Sequence, residues 1–296
     1  EDHGPHPEFR NEWWYLTGNL EDESGHRFGY EFTIFRFSLS PETGARSNAS
    51  AWETNQVFIA HFAVTDAKNV KFQVEQRFAR GALGLAGAQS SPFRVWIENW
   101  SVAENPATDR GRDGIEYWLL DVAGEDLGLK LDLQALKPIV LNGIGGLSRK
   151  SAETGNASFY YSIPRLQSSG QLKIGDKQYD VTGTSWLDRE WSSAVLASDQ
   201  QGWDWFALQL SDGSDLMFFK LRKIDGSQDP FSAGTYVAAD GQTRHLGAEE
   251  VLISITGHWD SPLGGTYPAR WEVDLPSQEL SLTITPGIPD QELSTT

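Results

Sequence analysis

The block Trp186-Leu187-Asp188-Arg189-Glu190-Trp191 sets two carboxylates and a guanidinium between two indoles. On a β-strand, Trp186, Asp188 and Glu190 share one face, and Leu187, Arg189 and Trp191 share the other. Two carboxylates on one face beside a Trp suit acid–base chemistry, because like charge and desolvation raise one pKa. A solvated turn, or an ion pair with Arg189, fits the same residues. Asp204 is a third candidate carboxylate. It shares strand parity with Phe206, Leu208 and Leu210, an apolar face on which it must be neutral or hydrogen-bonded. A bond to a nearby Arg accounts for it equally well.

Other polar residues read more simply. Glu12 shares a face with Trp14 and Leu16, and Arg36 with Tyr30, Phe32 and Ile34. The expectation is a buried structural ion pair between them. His61, beside Val57 and Ile59, is a candidate ligand contact or a satisfied core histidine. Asp2-His3-x-x-His6 has loose metal-ligand spacing, and no metal is expected from it. The chain has no G-x-S-x-G elbow and no P-loop. No cofactor is expected.

Composition narrows the partners. The chain has 296 residues and a formal charge of −17, so phosphate backbones and anionic lipid surfaces are repelled. It has no Cys, which excludes thiolate chemistry and disulfides. No apolar run is long enough to cross a membrane as a helix. Its 12 Trp exceed what a small core needs, so some are expected to line a cavity or cleft.

The elements that must carry these residues repeat. Residues 12–20 and 202–210 align without a gap, so that Trp13 meets Trp203, Tyr15 meets Trp205, Asn19 meets Gln209 and Leu20 meets Leu210. Later, Trp118, Asp121, Leu127, Leu129 and Leu131 match Trp271, Asp274, Leu280, Leu282 and Ile284. An internal repeat of this kind implies one unit written twice. Period-two alternation dominates, as in Leu129, Leu131 and Leu133. Turn signals separate the runs at 23–25, 113–114, 168–170, 212–213, 225–226 and 240–241. The Ala-rich run 76–89 contains three Gly and makes a poor helix. The Pro- and Gly-rich stretch 138–157 reads as a long loop, and the Ser-rich segment 192–198 as a connection.

Longer motifs carry a family resemblance. Asp2-His3-Gly-x-His6-Pro7, Glu12-Trp13-Trp14-Tyr15-x-x-Gly18-Asn19-Leu20, Ala60-His61-Phe62-Ala63-Val64-Thr65-Asp66, Asn156-Ala157-Ser158-Phe159-Tyr160-Tyr161-Ser162 and Trp186–Trp191 together resemble the AttH-like proteins, relatives of the carotenoid hydratases. The resemblance implies two tandem lipocalin-like β-barrels, an isoprenoid- or lipid-like substrate, and a periplasmic or secreted location. Hydratase relatives protonate an isolated double bond with an acidic residue. By that resemblance Asp188 is the proton donor, Glu190 or Asp204 orients water, and Trp186, Trp191, Trp203 and Trp205 line the pocket. The chain stops at Thr296 without the closing strands that family members usually carry, so either those strands were lost or trimmed, or other residues close the second barrel.

The combined expectation is an all-β chain of two antiparallel barrels, 1–180 and 181–296. Its function is binding of an apolar small molecule in a Trp-rich cavity or cleft, with Trp14, Tyr161 and His61 added to the lining. The alternative is a metal-free hydratase or hydrolase. The two differ at Asp188: the enzyme needs it partly buried with a second polar group in reach, whereas the binding module needs a deep apolar cavity. A third possibility is an inter-barrel cleft that docks a protein partner.

Overall fold

The computed structural model describes residues 2–39, 50, 52–105, 115–194 and 196–293. The turn signal at 113–114 lies outside the described residues. Among those described, every regular element is a strand except one short 3-10 turn, Pro276–Gln278. No helix among them is long and apolar enough to cross a membrane.

The first unit holds β1 (Asn11–Asp22), β2 (Arg27–Ser38), β3 (Gln56–Asp66), β4 (Lys71–Arg80), β5 (Ala86–Ser90), β6 (Phe93–Ile97), β7 (Trp100–Glu104), β8 (Tyr117–Ala123) and β9 (Leu127–Ala135). It continues with β10 (Val140–Leu141), β11 (Leu147–Arg149), β12 (Ala157–Ile174) and β13 (Lys177–Ser192). All join one antiparallel sheet in the order β4-β3-β2-β1-β13-β12-β9-β8-β7-β6-β5, with β10 and β11 also on β12. The sheet curls until β6 approaches β2, β3 and β4, which nearly closes a barrel. Because side chains alternate, Trp14, Leu16, Phe32, Ile34, Phe62, Trp100, Trp118 and Leu187 point inward and are fully buried. These rings fill the barrel interior.

The second unit holds β14 (Gln200–Gln209), β15 (Asp215–Lys223), β16 (Ala233–Val237), β17 (Thr243–Gly247), β18 (Leu252–Asp260), β19 (Thr266–Leu275) and β20 (Leu280–Ile284). They form a four-stranded sheet, β14 to β17, and a three-stranded sheet, β18 to β20. The two sheets share a core of Leu216, Phe218, Leu246, Val251, Val273 and Leu275.

The repeat is visible in this layout. The aligned Trp13 and Trp203 segments form β1 and β14, and the later match forms the hairpins β8–β9 and β19–β20. The pairing register is not conserved with it: Trp118 stands opposite Leu133, whereas Trp271 stands opposite Ile284, the counterpart of Leu131.

Several local expectations change. The sheet of the first unit runs through β13 to Ser192, past the 180/181 division read from sequence. β14 begins at Gln200, so the stretch between the units overlaps the Ser-rich segment 192–198. The stretch 138–157 carries β10 and β11 rather than only loop. The Ser-Ser-Gly signal at 168–170 is not a turn but the middle of β12, where a Cβ on Gly170 would lie 1.9 Å from the Lys130 carbonyl oxygen of β9. Glycine sits there because of that close approach.

The units are locked by buried charge. Lys137 Nζ lies 2.7 Å from Asp215 Oδ2, and Arg165 Nη2 lies 2.7 Å from Asp215 Oδ1. Lys137 Nζ also donates to the carbonyls of Gly213 and Ala238.

Candidate functional site

Three strands build the site by register alone. Asp188 on β13 stands opposite Ser162 on β12 and Tyr15 on β1. Tyr15 stands opposite Thr33 on β2, Thr33 opposite His61 on β3, and His61 opposite Gln76 on β4. A polar row therefore crosses the outer face of the barrel. The neighbouring row, Tyr160, Glu190, Trp13, Phe35, Ile59 and Phe78, is mostly aromatic.

Asp188 is 3% exposed, because the second unit covers this part of the face. Met217, Phe219 and Leu221 of β15 pack with Tyr160 and Trp186 over it, joined by Trp205. Its carboxylate accepts three hydrogen bonds: Tyr160 hydroxyl to Oδ2 at 2.7 Å, and Ser162 hydroxyl and Trp186 Nε1 to Oδ1 at 2.5 and 2.7 Å. Trp205 Nε1 donates to the Tyr160 oxygen at 3.2 Å, and its ring meets Tyr15 edge-on at 5.2 Å. Thr235 hydroxyl donates to Asn142, whose amide donates to Ser162. A polar chain thus runs from the second unit to Asp188. Burial pushes the Asp188 carboxyl up to about 6, even against its three donors, and the charge of Glu190 adds to the rise. Burial likewise pushes the Tyr160 hydroxyl far up, so it stays a neutral donor.

Glu190 lies on the same face, 7% exposed, with Lys150 Nζ at 3.3 Å. Lys150 is itself clamped over the Phe219 ring, 3.9 Å from its centroid. The ion pair expected for this block therefore involves Lys150, not Arg189.

Other candidates fall elsewhere. Asp204 has the opposite strand parity to Trp205, so it turns away from Asp188 and pairs with Arg222 at 3.4 Å. Burial raises its carboxyl, and Arg222 pulls it back. Trp203 is 56% exposed. Trp14, Tyr161 and Trp191 face the barrel interior, beneath residues 3–9. There His6 stacks on Trp191 at 3.9 Å, His3 Nδ1 meets the Tyr161 hydroxyl at 2.5 Å, and Trp14 Nε1 donates to the His3 carbonyl. Beside them Glu12 bonds both Arg36 and Arg189, the ion pair expected from sequence with a second guanidinium added. His3 and His6 serve this packing, and no group of three His, Cys, Asp or Glu suits a metal among the described residues.

His61 is on the outer face, in an open groove of about 740 Å³ lined by Phe35, Phe37, Ile59, His61, Val74, Gln76, Arg77 and Phe78. Of the residues named from sequence, the fold brings together Asp188, Glu190, Trp186 and Trp205. Sequence reading passed over Tyr15, Tyr160 as a donor, Ser162, Asn142 and Lys150. Tyr160 and Ser162 share strand parity, which was the available signal; only the β12–β13 register aims them at Asp188.

Comparison with known families and structures agrees with this layout. The AttH-like family model matches residues 1–296. A crystal structure of a candidate AttH from Nitrosomonas europaea is 34% identical, with a TM-score of 0.83, covering 99% of this chain and 85% of that one. Kievitone hydratase from Nectria haematococca shares the fold at 14% identity and a TM-score of 0.67, covering 96% of this chain and 78% of that one. Comparison with curated proteins finds no match.

Proposed function

This chain belongs to the AttH-like family, and on that premise we propose that it adds water across a carbon–carbon double bond of an apolar, isoprenoid-like molecule, with Asp188 as general acid. The observation that carries the proposal is the Asp188 carboxyl, buried, held by three donors and raised to about 6. A carboxyl of this kind is protonated often enough near neutral pH to give its proton to carbon. That transfer leaves a cation on the adjacent carbon, and water adds there to give an alcohol. Tyr160, Ser162 and Trp186 hold the carboxyl and receive the carboxylate that forms. The faces of Trp186, Trp205 and Tyr15 stabilise a passing cation. The aromatic outer face and its groove at Phe35 and Ile59 offer a bed for the rest of the molecule. The hydratase among the fold neighbours supports the choice of reaction. An exported location belongs to the same reading, from the family resemblance.

Binding without turnover is the second reading. The open apolar groove favours it, because the groove needs no titrating group. One experiment separates the two. Protein is incubated with a prenylated phenol in isotopically heavy water, and the products are read by mass spectrometry. Incorporation of one labelled oxygen, lost in Asp188→Asn, supports hydration. Retention of the unchanged probe by both proteins supports binding alone and sinks the hydratase proposal.

A further inference from the structure

We infer that Glu31 is the second proton-handling group of this site, set across Tyr15 from Asp188 to take the proton of the attacking water. This role rests on the hydration proposal above.

The placement comes from register. Glu31 on β2 stands opposite Thr17 on β1, and Thr17 stands opposite Trp186 on β13. Tyr15, the next outward residue on β1, stands opposite both Asp188 and Thr33. Glu31 and Asp188 therefore flank the Tyr15 side chain diagonally on one face. With strands ~4.8 Å apart and ~3.4 Å per residue, their Cα atoms are about 12 Å apart. Tyr15 and Thr17 occupy the strand between them, so the two carboxyls act on either side of the Tyr15 ring. The Tyr15 hydroxyl senses both groups: burial first, then the charges of Glu31 and Asp188, push its pKa up.

The surroundings of Glu31 fit the role. It is half-buried, and among the described residues its side chain's one hydrogen bond comes from the Thr33 hydroxyl. Among the described residues no Lys or Arg pairs with it. An ionised carboxylate there lacks the compensation a structural one would have. The groups around it are Tyr15 and Thr17 on β1, and Ala63 on β3 with His61 and Thr65 on either side. Burial pushes the Glu31 carboxyl up to about 7, where a general base is poised to act. The cycle balances. Asp188 delivers its proton to one carbon, water oxygen bonds the other, and the water proton passes to Glu31. Glu31 then releases a proton to solvent, and Asp188 takes one back.

The test uses the full chain and two readouts. Carboxyl carbon NMR follows the titrations of the wild type, Glu31→Gln and Asp188→Asn. The expected result is reciprocal: each substitution lowers the midpoint of the remaining carboxyl by about half a unit, because a like charge has gone. Midpoints that do not move overturn the pairing. Hydration of a prenylated phenol is the second readout. Glu31→Gln is expected to lower kcat about a hundredfold with KM nearly unchanged, and to remove the rising, acidic limb of the pH profile, the one that needs Glu31 ionised, while the falling limb set by Asp188 remains. Glu31→Asp restores part of the rate. If Asp188→Asn abolishes turnover while Glu31→Gln leaves it intact, the Glu31 role fails and the Asp188 proposal stands. If the wild type turns over no prenylated probe, the hydration proposal fails and the Glu31 role falls with it.

Discussion

Asp188 and Arg189 are adjacent in the chain yet belong to two separate polar networks, because β13 turns their side chains to opposite faces. Asp188 faces the second unit and is held by Tyr160, Ser162 and Trp186. Arg189 faces the barrel interior, with its guanidinium over the Trp14 ring at 4.0 Å and bonded to Glu12. The inner network anchors residues 3–9 across the barrel end, and the outer one supplies a titrating group. Neither neutralises the other, which is why Asp188 keeps a raised pKa one residue from a guanidinium.

Asp188→Asn is expected to lower hydration by about 10²- to 10⁴-fold, the usual share of a general acid. Tm stays near the wild-type value, since the side-chain volume is kept. Steady-state kinetics and a thermal melt on the same preparation check this. A variant that keeps its rate removes Asp188 from the chemistry.

Tyr160→Phe deletes a donor to the Asp188 carboxylate. The anion loses support, so the carboxyl midpoint rises from about 6. A bond to a charged group worth about 1.5 kcal/mol moves it up by about one unit. The acid form, and the activity that needs it, therefore persists to higher pH. A pH–rate profile shifted down instead would mean that Tyr160 accepts from Asp188 rather than donates.

Glu12→Gln leaves Arg36 and Arg189 buried without their counter-charge, and is expected to cost about 3–5 kcal/mol of stability. Burial pushes the Glu12 carboxyl up, but the His6 bond and the two Arg residues outweigh it and hold it at about 2, against an ordinary 4.5. The stabilisation is complete above 4.5 and is lost as pH falls toward 2. Denaturant unfolding across that window should show the wild type losing stability and the variant changing less. Parallel curves would show that Glu12 contributes no such linkage.

Asp215→Asn breaks the lock between the units by leaving Lys137 and Arg165 poorly paired. The second unit then covers Asp188 less tightly. Turnover falls although no residue of the Asp188 cluster has changed, and protease cuts sooner within 193–199. Limited proteolysis with mass mapping reads this out. Unchanged cleavage would mean that apolar packing at Met217 and Phe219 suffices to hold the units.

Glu31→Gln should stabilise the fold at high pH. Its carboxyl is raised from 4.5 to about 7, so its favourable contribution is present below 4.5 and lost as pH rises through 7. Above that, the variant gains about 2 kcal/mol after discount for partial exposure, and it gains nothing at low pH. Melts at both extremes decide it; equal Tm values throughout would show that Glu31 ionises without strain.

The amino-acid sequence by itself determined the all-β class, most of the long strands and the family, because alternation with period two and long aromatic motifs are local properties. It also determined that Glu12 and Arg36 would meet, since both sit at inward positions where a lone charge is untenable. Parity alone placed Asp188, Glu190 and Trp186 on one face, and Asp204 with Phe206 on the face away from Trp205. What parity could not say is which face of β13 is the barrel interior and what covers the other. Trp14, Tyr161 and Trp191 turned out to be interior rings packed under residues 3–9, while Tyr15, Tyr160 and Ser162 arrived at Asp188 through strand pairing. Pairing register and the docking of one unit on another are contacts between residues far apart in the chain. They are fixed by the fit of whole surfaces, so only the tertiary structure decides them.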